Sequence, residues 1–277
     1  VSVNILLNPM KLRRLAIALA LAVCMSPAAQ PQNPPASAAE LMNQVVANEL
    51  ADRVEQRKWI YQVSRRDGMH TLTEEQVDTK DGPLYRLLAI DGAPLNPEQR
   101  QQDNARIERL LHDPSRQWKA KRDHDEDEQK LEKLMRLMPQ AFLYDYDGVD
   151  GNFLRLKFRP NANYNPPTYE ARIVHALAGT ILIDAQQKRL AKVSGQLIDR
   201  VEFGYGILGD IDKGGTIQIG RTQVGPSRWK TALINIQLSG RVIFFKTINK
   251  QEYEIRSGFR AVPGDPNLAE ASQLLAR

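Results

Sequence analysis

The chain has 277 residues, with 38 lysines and arginines against 33 acids and a single cysteine. That length allows one domain with a substantial core, and the cysteine count excludes a disulfide framework. Much of the nominal +5 charge comes from Lys11, Arg13 and Arg14, because the first 38 residues contain no acid; the remaining balance is nearly even and gives no argument for nucleic acid as a partner.

Residues 1–9 open on Val and carry no positive charge, so they read as a mis-assigned extension with Met10 as the true start. Lys11, Arg13 and Arg14 then precede the apolar run Leu15–Met25 and a stretch of small residues, the layout of a secretory signal peptide over 10–29. The apolar run is about half of the roughly 20 residues that a membrane span needs. Export to the periplasm is the expected location. Cys24 leaves two readings open. It is either an incidental member of the apolar run, removed with it, or the lipidated residue of the lipobox-like Leu21-Ala22-Val23-Cys24. The second reading makes the protein a membrane-anchored lipoprotein and is the one route to membrane association. A Pro- and Gln-rich spacer covers 30–38.

A helix is expected over Ala39–Arg57, where Leu41, Val45, Leu50 and Val54 recur at helical spacing. Trp59, Tyr61 and Val63 alternate with Ile60 and Gln62 and open a first strand. Asp67-Gly68 and Asp81-Gly82 mark the next turns, and Asp91-Gly92 closes the strand Leu84–Ile90. The segment 97–138 is highly charged and lacks glycine. Pro97 starts a helix with Asn96 as its cap, Pro114 interrupts it, and a second helix runs to Met138. The acidic run Asp123–Glu128 reads as a solvated helix face.

From Phe142 the period becomes two. Leu154, Leu156 and Phe158 form one apolar row, and Ile181 and Ile183 a second. Val193, Leu197, Val201 and Phe203 follow, then Ile217 and Ile219, then Ile234, Ile236 and Leu238, then Val242, Phe244 and Ile248, and finally Tyr253, Ile255 and Phe259. Turns are expected at Gln186–Lys188, Gly214-Gly215, Gly225-Pro226, Ser239-Gly240 and Asn249-Lys250. This is the pattern of an antiparallel meander with one apolar face. The expected fold class is mainly β with α (α+β), a strongly curved antiparallel sheet or half-barrel of about ten strands covered by helices, since so many strands seldom stay flat. It occupies 39–262 as a single domain with the charged helical insert 97–138, followed by a tail over 263–277.

Nothing in the sequence argues for an enzyme, a metal or a cofactor. His70, His112, His124 and His175 show no metal-ligand spacing; His124 belongs to the acidic helix, and His175 reads as structural. Gly204-Tyr205-Gly206-Ile207-Leu208-Gly209 matches a dinucleotide fingerprint in spacing but has no βαβ unit around it. Asp145–Gly151 spaces its acids like a calcium loop yet lacks the completing Glu, so turn chemistry explains it better. Asp199 falls on the apolar parity of its strand, and a local bulge that turns it outward is expected.

A leader, the helix Leu41–Val54, strands from Trp59, helices within 97–138 and a returning meander follow one another in order. Within the meander, Gly179-Thr180-Ile181-Leu182-Ile183-Asp184 precedes Arg189-Leu190-Ala191-Lys192-Val193. This arrangement over Ala39–Pro263 resembles the LolA/LolB-like family of lipoprotein carriers, whose half-barrel is shared with RseB/MucB-type periplasmic sensors. The resemblance implies a non-enzymatic envelope protein that binds a lipid or the acyl chain of an acylated protein in an apolar cleft between sheet and helices. Its walls would be Ile181, Ile183, Leu197, Val201, Phe203, Ile217, Ile219, Ile234, Ile236 and Phe244. The insert 100–133 is longer than carriers usually have. The alternative is therefore a periplasmic interaction or sensor module with a closed core, whose insert docks a protein partner.

Overall fold

A computed structural model describes residues 37–54, 58–203, 209–242 and 246–276. The expected leader with Cys24, the wall residue Phe244 and most of the 204–209 glycine motif lie outside these residues.

The described chain opens with α1 (Ala38–Val54), followed by β1 (Lys58–Asp67), β2 (His70–Val77), β3 (Leu84–Ile90) and the short β4 (Ala93–Pro94). Helices α2 (Pro97–His112) and α3 (Pro114–Ala141) come next, then β5 (Phe142–Asp150), β6 (Phe153–Pro160) and α4 (Tyr169–His175). The second half runs through β7 (Leu177–Asp184), β8 (Leu190–Leu197), β9 (Val201–Phe203), β10 (Gly209–Ile211), β11 (Thr216–Gly225), β12 (Arg228–Val242) and β13 (Lys246–Val262), and ends in α5 (Leu268–Leu274). The protein is mainly β, and the described strands form one open antiparallel sheet in the order β4-β3-β2-β1-β13-β12-β11-β8-β7-β6-β5, with β10 paired to β12 and β9 to β10. The last long strand returns beside the first, so β13 joins the N-terminal strands to the later meander.

Local chemistry explains most boundaries. Asn96 accepts from the Gln99 amide at 2.8 Å while Gln99 reaches back to the Asn96 amide at 2.9 Å, and Pro97 occupies the first turn of α2. Asp113 caps α3 by accepting from the Ser115 and Arg116 amides. Ser37 and Glu40 cap α1 reciprocally.

The structure corrects several expectations. The described residues form thirteen strands rather than about ten. Ser239-Gly240 and Asn249-Lys250 are not turns, because β12 and β13 run unbroken through them. Gly240 serves a close approach instead: a Cβ there would sit 2.9 Å from Ile211 Cα and nearer still to the Asp210 carbonyl oxygen of the neighbouring antiparallel β10. Strand β8 stops at Leu197, and residues 198–200 form an exposed link to β9, which carries Asp199 into solvent without a bulge. The 263–277 tail contains α5, whose Leu268, Ala271 and Leu275 bury against Ile60, Val77 and Leu84. Helix α4 was likewise not expected.

Leu156, Ile181, Val193, Ile219 and Ile234 stand directly opposite one another across β6, β7, β8, β11 and β12, so they share one face of the sheet. This inner face carries α1, whose Leu41, Met42 and Val45 pack with Phe142, Leu156, Phe158, Ile181, Ile183 and Leu197 in the main core. Leu137 and Met138 at the end of α3 lean on the same cluster. Helix α5 covers the opposite, outer face near β1–β3. Helix α2 closes the β3 side, where Asp103 accepts from the Leu87 amide at 3.2 Å and Arg106 donates to the Tyr85 carbonyl at 2.6 Å.

Candidate functional site

The expected wall residues do share the inner face, but they divide into two groups. Ile181 and Ile183 (0% exposed), Leu197 (1%) and Val201 (7%) lie sealed in the core beneath α1. For these four the expected open cleft is replaced by a filled core, because α1 occupies the space above them. Phe203 and Ile217 border that core, and Phe203 meets the Tyr169 ring edge-on at 5.3 Å. Ile217 pairs with Ile236 across β11 and β12, and Ile219 pairs with Ile234; all four remain half-buried.

An ion cluster lies at the end of this face formed by the β7–β8 and β11–β12 turns. Glu49, on the last turns of α1, accepts from Arg189 Nε at 2.9 Å, Arg189 Nη2 at 3.0 Å and the Leu190 amide at 2.9 Å, and it also pairs with Arg221. Asp52, one turn later, accepts from Arg189 at 2.6 Å and Arg228 at 2.9 Å. Spare guanidinium protons go to backbone: Arg189 donates to the Ser227 carbonyl at 2.8 Å and Arg221 to the Trp229 carbonyl at 2.7 Å. Asn48 caps the β7–β8 turn by donating to the Gln187 and Lys188 carbonyls at 3.2 Å. The side chains of Glu49 and Arg189 are 4% and 6% exposed, so this is a desolvated, hydrogen-bonded clamp that anchors the C-terminal half of α1 to the β7–β8 and β11–β12 turns.

Burial alone would raise the Glu49 carboxyl, but hydrogen bonds and charge from Arg189 and Arg221 outweigh it and hold the group below its ordinary range. Asp52 is held low in the same way by Arg189 and Arg228. A carboxyl depressed in the fold takes up protons more readily in the unfolded chain, so its contribution is complete above the unfolded value, about 4, and is lost as pH falls through the folded one. Melting temperature should therefore hold steady from about pH 8 to 5 and drop progressively below about pH 4. A thermal melt unchanged down to about pH 3 would contradict the clamp.

Next to the clamp, still on the inner side, the surface turns polar. Tyr61 donates to Asp78 at 3.2 Å and accepts from Gln76 at 2.7 Å. Arg256 pairs with Glu254 and lies over the Tyr61 ring, while Arg65 pairs with Glu74 at 2.9 Å. Lys230 stands 3.7 Å from Asp78 and 5.7 Å from the centre of the Trp59 ring.

The remaining sequence candidates resolve simply. His175 Nε2 lies 3.1 Å from the Asn161 carbonyl, between the Phe142 and Tyr164 rings, as a structural histidine. Asp123, Asp125 and Glu126 form i,i+4 pairs with Lys119, Lys121 and Arg122 along α3. Asp147 in the β5–β6 hairpin pairs with Lys157 at 2.6 Å. Gly209 pairs with Phe203 in an antiparallel β9–β10 ladder, which is not the strand-to-helix turn that a dinucleotide site requires. Among the described residues, no three His, Cys, Asp or Glu side chains are grouped to hold a metal ion, and no helix is long and apolar enough to cross a membrane. An open crevice of about 800 Å³ on the outer side, lined by Ile60, Leu88, Val262 and Leu274 with Glu75 and Arg260, involves none of the expected wall.

Sequence reasoning missed the clamp. In the sequence Glu49 and Asp52 are ordinary acids of α1, and their partners lie 137 to 176 residues away. Comparison of the chain with family models, with curated proteins and with solved structures returns no match, so function is read from the chain's own geometry.

Proposed function

We propose that this chain is a non-enzymatic, exported envelope protein of the lipoprotein-carrier type, with its sheet bent into a half-barrel and its inner face holding the acyl chain of a lipid or an acylated protein. The observation that carries this reading is the contrast along one face. Isoleucines 181 and 183 are sealed beneath α1, whereas the cross-strand pairs Ile217–Ile236 and Ile219–Ile234, on strands farther across the sheet, stay half-buried. The clamp ties α1 to the β7–β8 and β11–β12 turns, and the core beneath it is built from β5–β8. An acyl chain laid along the isoleucine pairs would gain about 0.8 kcal/mol for each methylene removed from water.

Fluorescent fatty-acid uptake tests this directly. The wild-type chain should bind the probe, and Ile234→Asp should weaken binding by at least about tenfold, because a carboxylate there opposes chain burial. Absence of uptake by the wild type, or uptake indifferent to Ile234→Asp, would overturn the reading.

A second reading, docking of a protein partner by the helical insert, draws on α3. Most of its length is solvated, and Trp118 and Leu131 are 63% and 45% exposed. Replacing both by alanine distinguishes the two: loss of a bound protein with fatty-acid uptake intact favours docking.

A further inference from the structure

We propose that Lys230 is the recognition point for the anionic end group, a carboxylate or phosphate, of a single-chain amphiphile whose tail lies on the half-buried isoleucines of β11 and β12. The inference rests on the acyl-binding reading and adds the chemical class of the ligand.

Arg189 and Arg228 each donate to an α1 carboxylate within 3 Å, and Arg221 pairs directly with Glu49. Arg256 is paired with Glu254 and Arg65 with Glu74. Lys230 differs from all of these. Its one ion pair among the described residues, to Asp78 Oδ2, is 3.7 Å long, beyond hydrogen-bond distance. The other Asp78 oxygen is already engaged by the Tyr61 hydroxyl at 3.2 Å. Tyr61 keeps its proton for that bond, since burial and the Asp78 charge both push its pKa upward. Among the described residues the ammonium therefore has three donors and no acceptor within hydrogen-bond distance, while its side chain is two-thirds covered and its head faces the Trp59 ring.

The surroundings favour an anion. Burial disfavours the charged ammonium, and Arg221 and Arg256 repel it, while Asp78 and Asp52 offset only part of that penalty. A ligand carboxylate or phosphate would supply the missing acceptors and a compensating charge together. Placement supplies the remaining link. Lys230 and Ile234 lie four residues apart on β12, at most about 13 Å at the rise of a β-strand, with a register shift between Thr231 and Leu233. An end group held at Lys230 thus needs a long tail to reach the isoleucines, which a short-chain acid does not have.

The test compares dodecanoate, dodecyl phosphate and dodecanol as ligands of the full chain, with acetate and inorganic phosphate as tail-free controls. Both dodecyl anions should bind at least about tenfold more tightly than the alcohol. Lys230→Met should abolish that preference, and Lys230→Arg should restore it. Thermal melts of both variants report their folding, and the arginine variant keeps the test decisive if the methionine variant unfolds. Equal binding of anions and alcohol, or a preference that survives Lys230→Met, overturns the role of Lys230 and leaves the acyl-binding reading standing. Binding of inorganic phosphate as tight as dodecyl phosphate overturns the amphiphile in favour of a free anion. Failure of all three dodecyl ligands overturns both proposals.

Discussion

Gly179→Ala should strongly lower the urea midpoint of unfolding. Gly179 on β7 faces Gly195 on β8 and Phe158 on β6, and Phe158 belongs to the main core. A Cβ at position 179 would stand 2.8 Å from Gly195 Cα and 2.9 Å from the Ser194 carbonyl carbon, and nearer still to its oxygen. Every one of those neighbours is backbone held in a sheet ladder, so none can rotate away. The expected loss is about 3 kcal/mol or more, at or above the top of the usual overpacking range. Gly195→Ala is a milder case, because its Cβ would meet the Phe158 ring at 3.3 Å and the Leu177 side chain at 3.4 Å, both of which can yield. Its expected cost is about 1 kcal/mol. Urea denaturation of the two variants should reproduce that order, and a wild-type midpoint for Gly179→Ala would show that β7 and β8 lie farther apart than the glycine pair implies.

Glu49→Ala should be comparably damaging, for an electrostatic reason. The substitution leaves Arg189 and Arg221, with side chains 6% and 14% exposed, without their main counter-charge. Breaking one side of a buried pair costs about 3–5 kcal/mol, mostly as the penalty of the stranded charge. The Leu190 amide also loses its acceptor. Asp52→Ala should cost less, since Asp52 is more exposed and Arg189 keeps Glu49. Combined replacement of Glu49, Arg189 and Arg221 by methionine should recover much of the loss, because an apolar substitute for a buried ion cluster is often close to neutral. If Glu49→Ala unfolds at the wild-type urea concentration, α1 is not held by this cluster.

Sequence patterns carried the architecture unevenly. The Asp-Gly pairs at 67–68, 81–82 and 91–92 mark real turns, and the Asn96–Pro97 cap starts α2 where expected, because each depends on residues adjacent in sequence. The alternation of Ile181, Ile219 and Ile234 placed these side chains on a common face for the same reason. Gly240 misled because glycine serves both turns and close approaches, and only the position of β10 decides between them. Helix α5 is seven residues long and leans on tertiary packing, so its capping pair Asn267 and Glu270 was its sole local signal. The clamp was illegible because Arg189, Arg221 and Arg228 meet α1 only through the folded sheet. How far α1 extends across the inner face follows from that meeting, and periodicity does not encode it.

The central claim is that an acyl chain lies on the inner face between β11 and β12. The most direct measurement is photo-crosslinking of the purified chain with a diazirine-bearing fatty acid, followed by peptide mapping of the adducts. The account predicts label on the peptides that contain Ile217, Ile219, Ile234 and Ile236, competed away by unlabelled fatty acid. Competable label confined to the outer-side crevice around Leu88 and Leu274, or no competable label at all, would contradict it.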